Sequence, residues 1–253
     1  MTLIVGILCN EGVVVGADRA ATSSHAGHPV VEQPTRKISI IDDKIILATS
    51  GEVGLGQRFR HVVSELQEKK QIFSKLDPQS LALTICQNVV NNFSLTYLPK
   101  SRTIQQQYFN LTALLAFVND GKAYLVEFEE GSLQPEFRDE NLQFVSLGVG
   151  QPIADPFLGF MRRVFFKNNV LNIAMGTFIT AWTMTHAIDV NPGGINGMDL
   201  AILKKDGKGN GKAKMLSEHE LEEHHQSISS VEEYLTDYRT RFSPADAVEI
   251  PKP

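Results

Sequence analysis

The sequence predicts an α+β fold in which antiparallel sheets carry helices on their outer faces. Three observations lead there. Predicted strands and helices arrive in groups, ββββ, αα, βββ, αα, ββ, instead of alternating singly. The strand pairs are joined by turns of two or three residues, Asn10-Glu11-Gly12, Asp42-Asp43 and Asn119-Asp120-Gly121, the lengths of antiparallel hairpins. No glycine-rich phosphate loop follows the first strand, which argues against a doubly wound nucleotide-binding sheet. With 253 residues, 42% apolar and 21% charged, the chain can bury a large core without cross-links.

The elements follow in order. Leu3–Cys9 and Val13–Asp18 are rich in β-branched residues and form a first hairpin, with Gly12 expected at positive φ. Ser23–Thr35, containing Gly, His and Pro, reads as a loop, and Lys37–Ile41 with Lys44–Thr49 as a second hairpin. Leu55, Phe59, Val62, Val63 and Leu66 make one helical stripe. Asp77-Pro78 is an N-cap with proline at the first helical position, opening a helix that buries Ala82, Ile85, Cys86, Val89, Val90 and Phe93. A polar connection, Ser94–Asn110, leads to strands at Leu111–Val118, Lys122–Phe128 and Leu142–Gly148. Asp155-Pro156 repeats the cap device, predicting a helix with Phe157, Phe160, Met161, Val164 and Phe165 inward. A second helix covers Asn172–Ala187, and Met198–Leu203 with Ala213–Leu216 form the last hairpin. From Ser217 to Asp237 there are seven acids and no Lys or Arg, so residues 217–253 read as an acidic helical extension beyond a main domain at 2–216.

Composition narrows the function. A net charge of −5 gives no support for nucleic-acid binding through a basic surface. The two cysteines, Cys9 and Cys86, sit in apolar-periodic stretches and read as core thiols of a reducing compartment; two cannot make a four-ligand zinc site. His25 and His28 have no third ligand near them in sequence, and neither a metal nor a cofactor is expected. Leu171–Ile188 is interrupted by Thr177, Thr180, Thr183, Thr185 and His186, which suits a buried helix better than a membrane span. The N-terminus lacks a basic leader, so the expectation is a cytoplasmic protein whose mature chain begins within a residue of its start.

The sharpest chemical feature is Met1-Thr2. Methionine before a small residue is the context in which the initiator is trimmed, and trimming leaves Thr2 with a free amine beside its own hydroxyl. A terminal amine has a pKa of about 7.7–8.0, so about a tenth to a sixth is neutral at pH 7 and can take the hydroxyl proton without a histidine. Asp18 ends the second strand of the first hairpin and Lys37 begins the third strand. A lysine beside Thr2 biases the amine toward neutrality, and a carboxylate keeps that lysine charged. On spacing alone, the favoured reading makes Asp18 a turn residue and Lys37 a solvated strand end.

These residues resemble the proteasome β-subunit superfamily of N-terminal-nucleophile hydrolases, over about residues 2–203, and within it small bacterial homologues without a propeptide. The matching stretches are Thr2; Gly12–Asp18 with Ala21-Thr22; Arg36-Lys37-Ile38; Ala48-Thr49-Ser50-Gly51; and Asp189 followed by Gly193-Gly194. Lys37 and Gly51 are displaced from the family spacing by the same three residues, which one insertion in Ser23–Thr35 explains. The resemblance implies a four-layer αββα sandwich with Thr2 as nucleophile, Asp18, Lys37 and Asp189 around it, and the Gly51 N–H as oxyanion donor. It implies Thr22 pairing its backbone with an extended peptide, and Ala21, Thr49 and Val53 lining a small to apolar side-chain pocket. It further implies stacked homo-oligomeric rings, heptameric, enclosing the sites, with an AAA-type ATPase as the class of partner that feeds such chambers.

Two supporting positions depart from the family pattern, and Arg19-Ala20 also departs from the family's usual order after the aspartate. Val149 and Pro192 stand where supporting serines are usual. Loss of both hydroxyls would weaken orientation of the amine and its water. With Met1 attached, moreover, the nitrogen of Thr2 is an amide and cannot act as base. The expectation is therefore a threonine-type peptidase, set against two alternatives: a non-hydrolytic ring that retains Met1, and a hydrolase of small amides.

Overall fold

Two five-stranded antiparallel sheets face each other, with helices covering both outer sides, in a computed structural model describing residues 2–25, 28–69, 76–94, 109–166, 171–191 and 195–240. The first sheet combines β1 (Ile4–Cys9), β2 (Gly12–Asp18), β10 (Phe144–Leu147), β11 (Met198–Lys205) and β12 (Gly211–Met215) in the order β10-β1-β2-β11-β12. The second runs in sequence order through β5 (Ile38–Ile41), β6 (Ile45–Gly51), β7 (Leu111–Asn119), β8 (Lys122–Phe128) and β9 (Pro135–Phe137). Helices α1 (Val53–Glu68) and α2 (Pro78–Ser94) lie on the second sheet, α3 (Gln151–Phe165) and α4 (Ile173–Val190) lie on the first, and α5 (Glu218–Thr240) packs against α4.

Three apolar layers hold the four structural layers together. Ile4, Val13, Val15, Ile46, Leu114 and Leu125 interdigitate between the sheets. Phe59, Val63, Ile85, Val89, Phe93 and Phe117 join α1 and α2 to the second sheet. Val5, Ile7, Leu158, Met161, Ile179 and Met184 join α3 and α4 to the first. Strands sandwiched in this way bury both faces, which is why β1 and β2 are continuous apolar runs without polar alternation. The threonines of α4 are satisfied inside the helix: Thr177, Thr180 and Thr183 each donate to the carbonyl four residues earlier at 2.8 Å. Among the described residues no helix is long and apolar enough to cross a membrane.

Several local expectations are corrected. The presumed loop Ser23–Thr35 is largely a two-stranded ribbon, β3 (Ala20–His25) with β4 (His28–Pro34), paired from Ala20↔Pro34 to His25↔His28. The ribbon stands apart from both sheets, so its strands need no continuous apolar face and its prolines are tolerated. Gly12 does not have positive φ; a Cβ there would lie 1.9 Å from the Leu203 carbonyl oxygen of β11, so close strand approach explains the glycine. The short edge strand β9 falls outside the expected strands. Helix α3 begins at Gln151, one turn before Asp155-Pro156, and Asp155 accepts from Ser146 Oγ of β10 instead of capping. The buried stripe runs through Ala154, Leu158 and Met161 with Phe157 and Phe165 partly buried beside it, whereas Phe160 and Val164 are exposed.

The extension opens with a capping box, in which the Glu220 N–H donates to Ser217 Oγ and the Ser217 N–H donates to Glu220 Oε2. Lys214, Ser217 N–H and the Ser217 hydroxyl together push the Glu220 carboxyl down to about 2. Helix α5 packs Leu221 and Ile228 into the α4 layer, and Trp182 Nε1 donates to Glu232 at 2.9 Å. Beyond Glu232 the helix is solvent-facing, with Tyr234 and Leu235 exposed.

Candidate active site

The candidate site opens at one end of the gap between the sheets and takes residues from both. Thr2 lies two residues before β1 and is fixed from two sides. Its carbonyl accepts from Gly150 N–H at 3.1 Å, while the next residue, Leu3, donates its N–H to Asp18 Oδ1 at 2.8 Å and accepts from Asp18 N–H at 3.1 Å. Gly148, just after β10, is required at φ +88°, and a Cβ there would come within 2.4 Å of the Thr2 oxygen. Thr2 thus sits in a slot made of backbone.

Asp18 ends β2 and is fully buried. Besides Leu3 N–H, it accepts from Ala20 N–H at 3.1 Å and from Lys37 Nζ at 2.6 Å. Lys37 stands just before β5 in the opposite sheet, with its side chain only 8% exposed, and donates to Thr2 Oγ1 at 3.0 Å. A buried carboxylate with three donors is well compensated, and the lysine is held against the threonine hydroxyl. Spacing alone favours Asp18 as a turn residue and Lys37 as a solvated strand end; neither is exposed in the structure.

Gly51 closes β6 before Glu52, the extended N-cap of α1. Its φ of +109° and the approach of Asn110, whose carbonyl oxygen would lie 2.2 Å from an added Cβ, require glycine. The backbone on either side of it is anchored. Glu52 N–H donates to Asn110 O toward β7, and Thr49 N–H donates to Lys37 O toward β5. Gly51 lies between these two anchored amides and lines the same cleft as Thr2 and Lys37. The first amides of α1 add the positive end of a helix dipole.

Thr2, Lys37, Thr49, Gly51, Val53 and Val149 share a cleft of about 950 Å³. Its far wall carries Glu127, Glu129 and Glu130 from β8 and the turn after it, which the sequence did not bring to notice because nothing local marks a residue that faces across the sheets. Burial raises the Glu127 carboxyl above its ordinary value although Arg138 is its ion-pair partner. A larger cleft of about 1490 Å³ beside β5 and α1 contains neither Thr2 nor Lys37, so size does not mark the chemistry here. Asp189 is exposed at the end of α4; it does not line the Thr2 cleft, and no described hydrogen bond joins it to Thr2, Asp18 or Lys37. Ala21 and Thr22 lie on β3 opposite Gln33 and Glu32, and their side chains fall outside the described set. Among the described strands β3 has β4 as its sole partner, leaving its other edge unpaired. Met1, Pro192, Gly193 and Gly194 lie outside the described residues.

A family model described as "Proteasome subunit" matches residues 2–196. The chain belongs to the proteasome subunit family. Proteasome subunit beta of Methanococcus aeolicus is 24% identical over 224 residues, covering 88% of this chain and 90% of that protein. Its counterpart in Methanocaldococcus fervens is 24% identical over 241 residues, covering 95% and 96%. Among solved structures, a Gly-1 mutant of Anbu from Hyphomicrobium sp. strain MC1 superposes with a TM-score of 0.67 at 15% identity, over 95% of this chain and all of that one. That likeness is one of fold, and it agrees with the α+β sandwich described above. Family membership carries the coarse reading, a proteasome-like chain of the N-terminal-nucleophile type.

Proposed function

We propose that this chain is a threonine-type peptidase in which removal of Met1 frees the amine of Thr2 as general base and its hydroxyl as nucleophile. The observation that carries the reading is the buried chain Asp18–Lys37–Thr2, at 2.6 and 3.0 Å. Lys37 holds a positive charge beside the Thr2 hydroxyl, which stabilises the developing alkoxide and disfavours protonation of the adjacent amine. The amine takes the hydroxyl proton, Thr2 Oγ1 attacks the peptide carbonyl, and the proton passes to the leaving amine. The Gly51 N–H, set before the N-terminus of α1, holds the oxyanion. Water then releases the acyl group from Thr2.

The unpaired edge of β3 at Ala21 and Thr22 aligns an extended peptide by strand addition, and Thr49 with Val53 borders the side-chain pocket. Asp189 is retained as a supporting residue on the resemblance alone. The relatives are named as subunits, and we propose self-assembly into stacked rings of seven, with residues 217–253 as an extension to the 2–216 domain and an AAA-type ATPase as the class of feeding partner. The experiment is intact mass of the purified chain together with labelling by a peptide epoxyketone, which needs both the amine and the hydroxyl of Thr2. Loss of one methionine and a covalent adduct support the peptidase. A second reading, a non-hydrolytic ring, is favoured by one observation: Val149, exposed in the cleft beside Thr2, brings no hydroxyl to it. A full-length mass without labelling supports that alternative.

A further inference from the structure

The residue after Asp18 has no part in the chemistry just described, yet it connects three elements around the site. Arg19 Nε donates to Asp199 Oδ1 of β11 at 2.8 Å, and its Nη2 reaches Glu218 Oε1, the first residue of α5, at 2.7 Å. Asp199 is 5% exposed, and its Oδ2 has no hydrogen-bond partner among the described residues, so Arg19 is the one described cation compensating it. The main chain of Arg19 is held as firmly. Its N–H donates to Asn196 O at 2.9 Å, and its carbonyl accepts from Thr35 N–H at 2.8 Å.

Those two backbone bonds govern the site from both directions. Upstream, Arg19 lies between Asp18 and Ala20, the residue whose N–H donates to Asp18 Oδ2. Downstream, Thr35 is two residues before Lys37. A displacement of Arg19 therefore moves the carboxylate and the ammonium together, and with them the donor on Thr2 Oγ1. We propose that Arg19 is a positioning residue for the Thr2 group, pinning the Asp18–Ala20 and Thr35–Lys37 segments to buried Asp199 and to the start of the C-terminal helix. The guanidinium suits this task because one planar fork addresses two carboxylates in fixed directions, which an ammonium does not. Contact with Glu218 makes α5 part of the frame of the site, although the body of the helix packs against α4. The exposed Glu218 arm is screened by solvent and contributes less than the Asp199 arm.

The inference rests on the peptidase reading for its kinetic consequence but not for its structural one, and the test separates the two. Arg19→Ala, Arg19→Lys and Glu218→Gln are compared with the unaltered full-length protein by peptide turnover over pH and by hydrogen exchange at the Leu3 and Ala20 amides. Arg19→Ala is expected to lower kcat about tenfold with KM within twofold. It moves the acid limb of the rate profile to higher pH, because a retreating ammonium no longer disfavours the protonated Thr2 amine. Protection at the two amides falls in parallel, Arg19→Lys recovers part of each effect, and Glu218→Gln shows a smaller change of the same sign. Should Arg19→Ala fail to fold with Asp199 uncompensated, Arg19→Ala combined with Asp199→Asn removes the stranded charge and takes its place. A folded Arg19→Ala or double variant with native turnover, pH limb and amide protection overturns the proposal. If the unaltered protein shows no turnover and no labelling of Thr2, the peptidase reading fails, and amide protection still decides the clamp.

Discussion

Replacing Lys37 by Met tests the electrostatic frame of the site through stability. Asp18 is fully buried and Lys37 Nζ approaches its Oδ1 to 2.6 Å, a gross attraction of about 6 kcal/mol at an effective dielectric of about 20. Desolvation of both groups offsets much of that, so the pair itself stabilises the fold far less than the gross figure. Removing one partner is different, because the other charge stays buried. Losses of about 3–5 kcal/mol are typical, and Asp18 keeps the Leu3 and Ala20 N–H donors, which sets the expectation at the lower end, about 3 kcal/mol. At a slope of about 3 kcal/mol per molar, the urea midpoint falls by about 1 M. The assay is equilibrium unfolding at one fixed protein concentration, since self-association shifts the midpoint. Lys37→Met combined with Asp18→Asn removes both charges and should cost about 2 kcal/mol less than the sum of the single variants. A loss below about 1 kcal/mol for Lys37→Met, with additive singles, would refute the buried pair.

Other consequences are sharper locally. Gly148→Ala combines a φ of +88° with a contact at 2.4 Å to the Thr2 carbonyl, so it should cost about 2 kcal/mol or more and suppress labelling of Thr2; native midpoint and labelling rate would show that the slot is not rigid. Glu220 is held near 2 against an ordinary value of 4.5, so its support of the α5 cap is fully present above about 4.5 and is lost as pH falls toward about 2. Amide shifts at Ser217 followed over that window should report the fraying, and a transition centred at 4.5 would contradict it. Burial pushes the Cys9 thiol up to about 12. Native alkylation at pH 8 should therefore proceed only as fast as the chain opens, and this contribution to stability, complete below about 9, declines as pH rises toward 12. Alkylation at the rate of a free thiol would contradict it.

Legibility in the sequence followed how local the signal was. Strands β1, β2, β7 and β8 and helices α1, α2 and α4 were readable because burial on one or both faces writes itself into apolar period and length. The β3–β4 ribbon was not, since its strands pair only with each other and carry no core-facing stripe. At the start of α3, Asp155-Pro156 looks like a cap in sequence, whereas the helix begins a turn earlier, beside Gly150 meeting the Thr2 carbonyl, a contact between chain segments far apart in sequence. In the site, Met1-Thr2 alone is a weak signal that gains weight only with the matching motifs around Asp18, Lys37 and Gly51, and the meeting of Asp18 and Lys37 depends on two sheets facing each other. Arg19 stands out in the sequence only as a departure from the family's order, and its meeting with Asp199 and Glu218, like Glu127 across the cleft, is defined only by tertiary proximity.

The most direct test of the central claim is peptide mapping of the native chain after exposure to an epoxyketone. The account requires a chain that begins at Thr2 and carries the adduct on that residue, with no adduct in Thr2→Ala. A chain that keeps Met1 and stays unlabelled under the same conditions would contradict it.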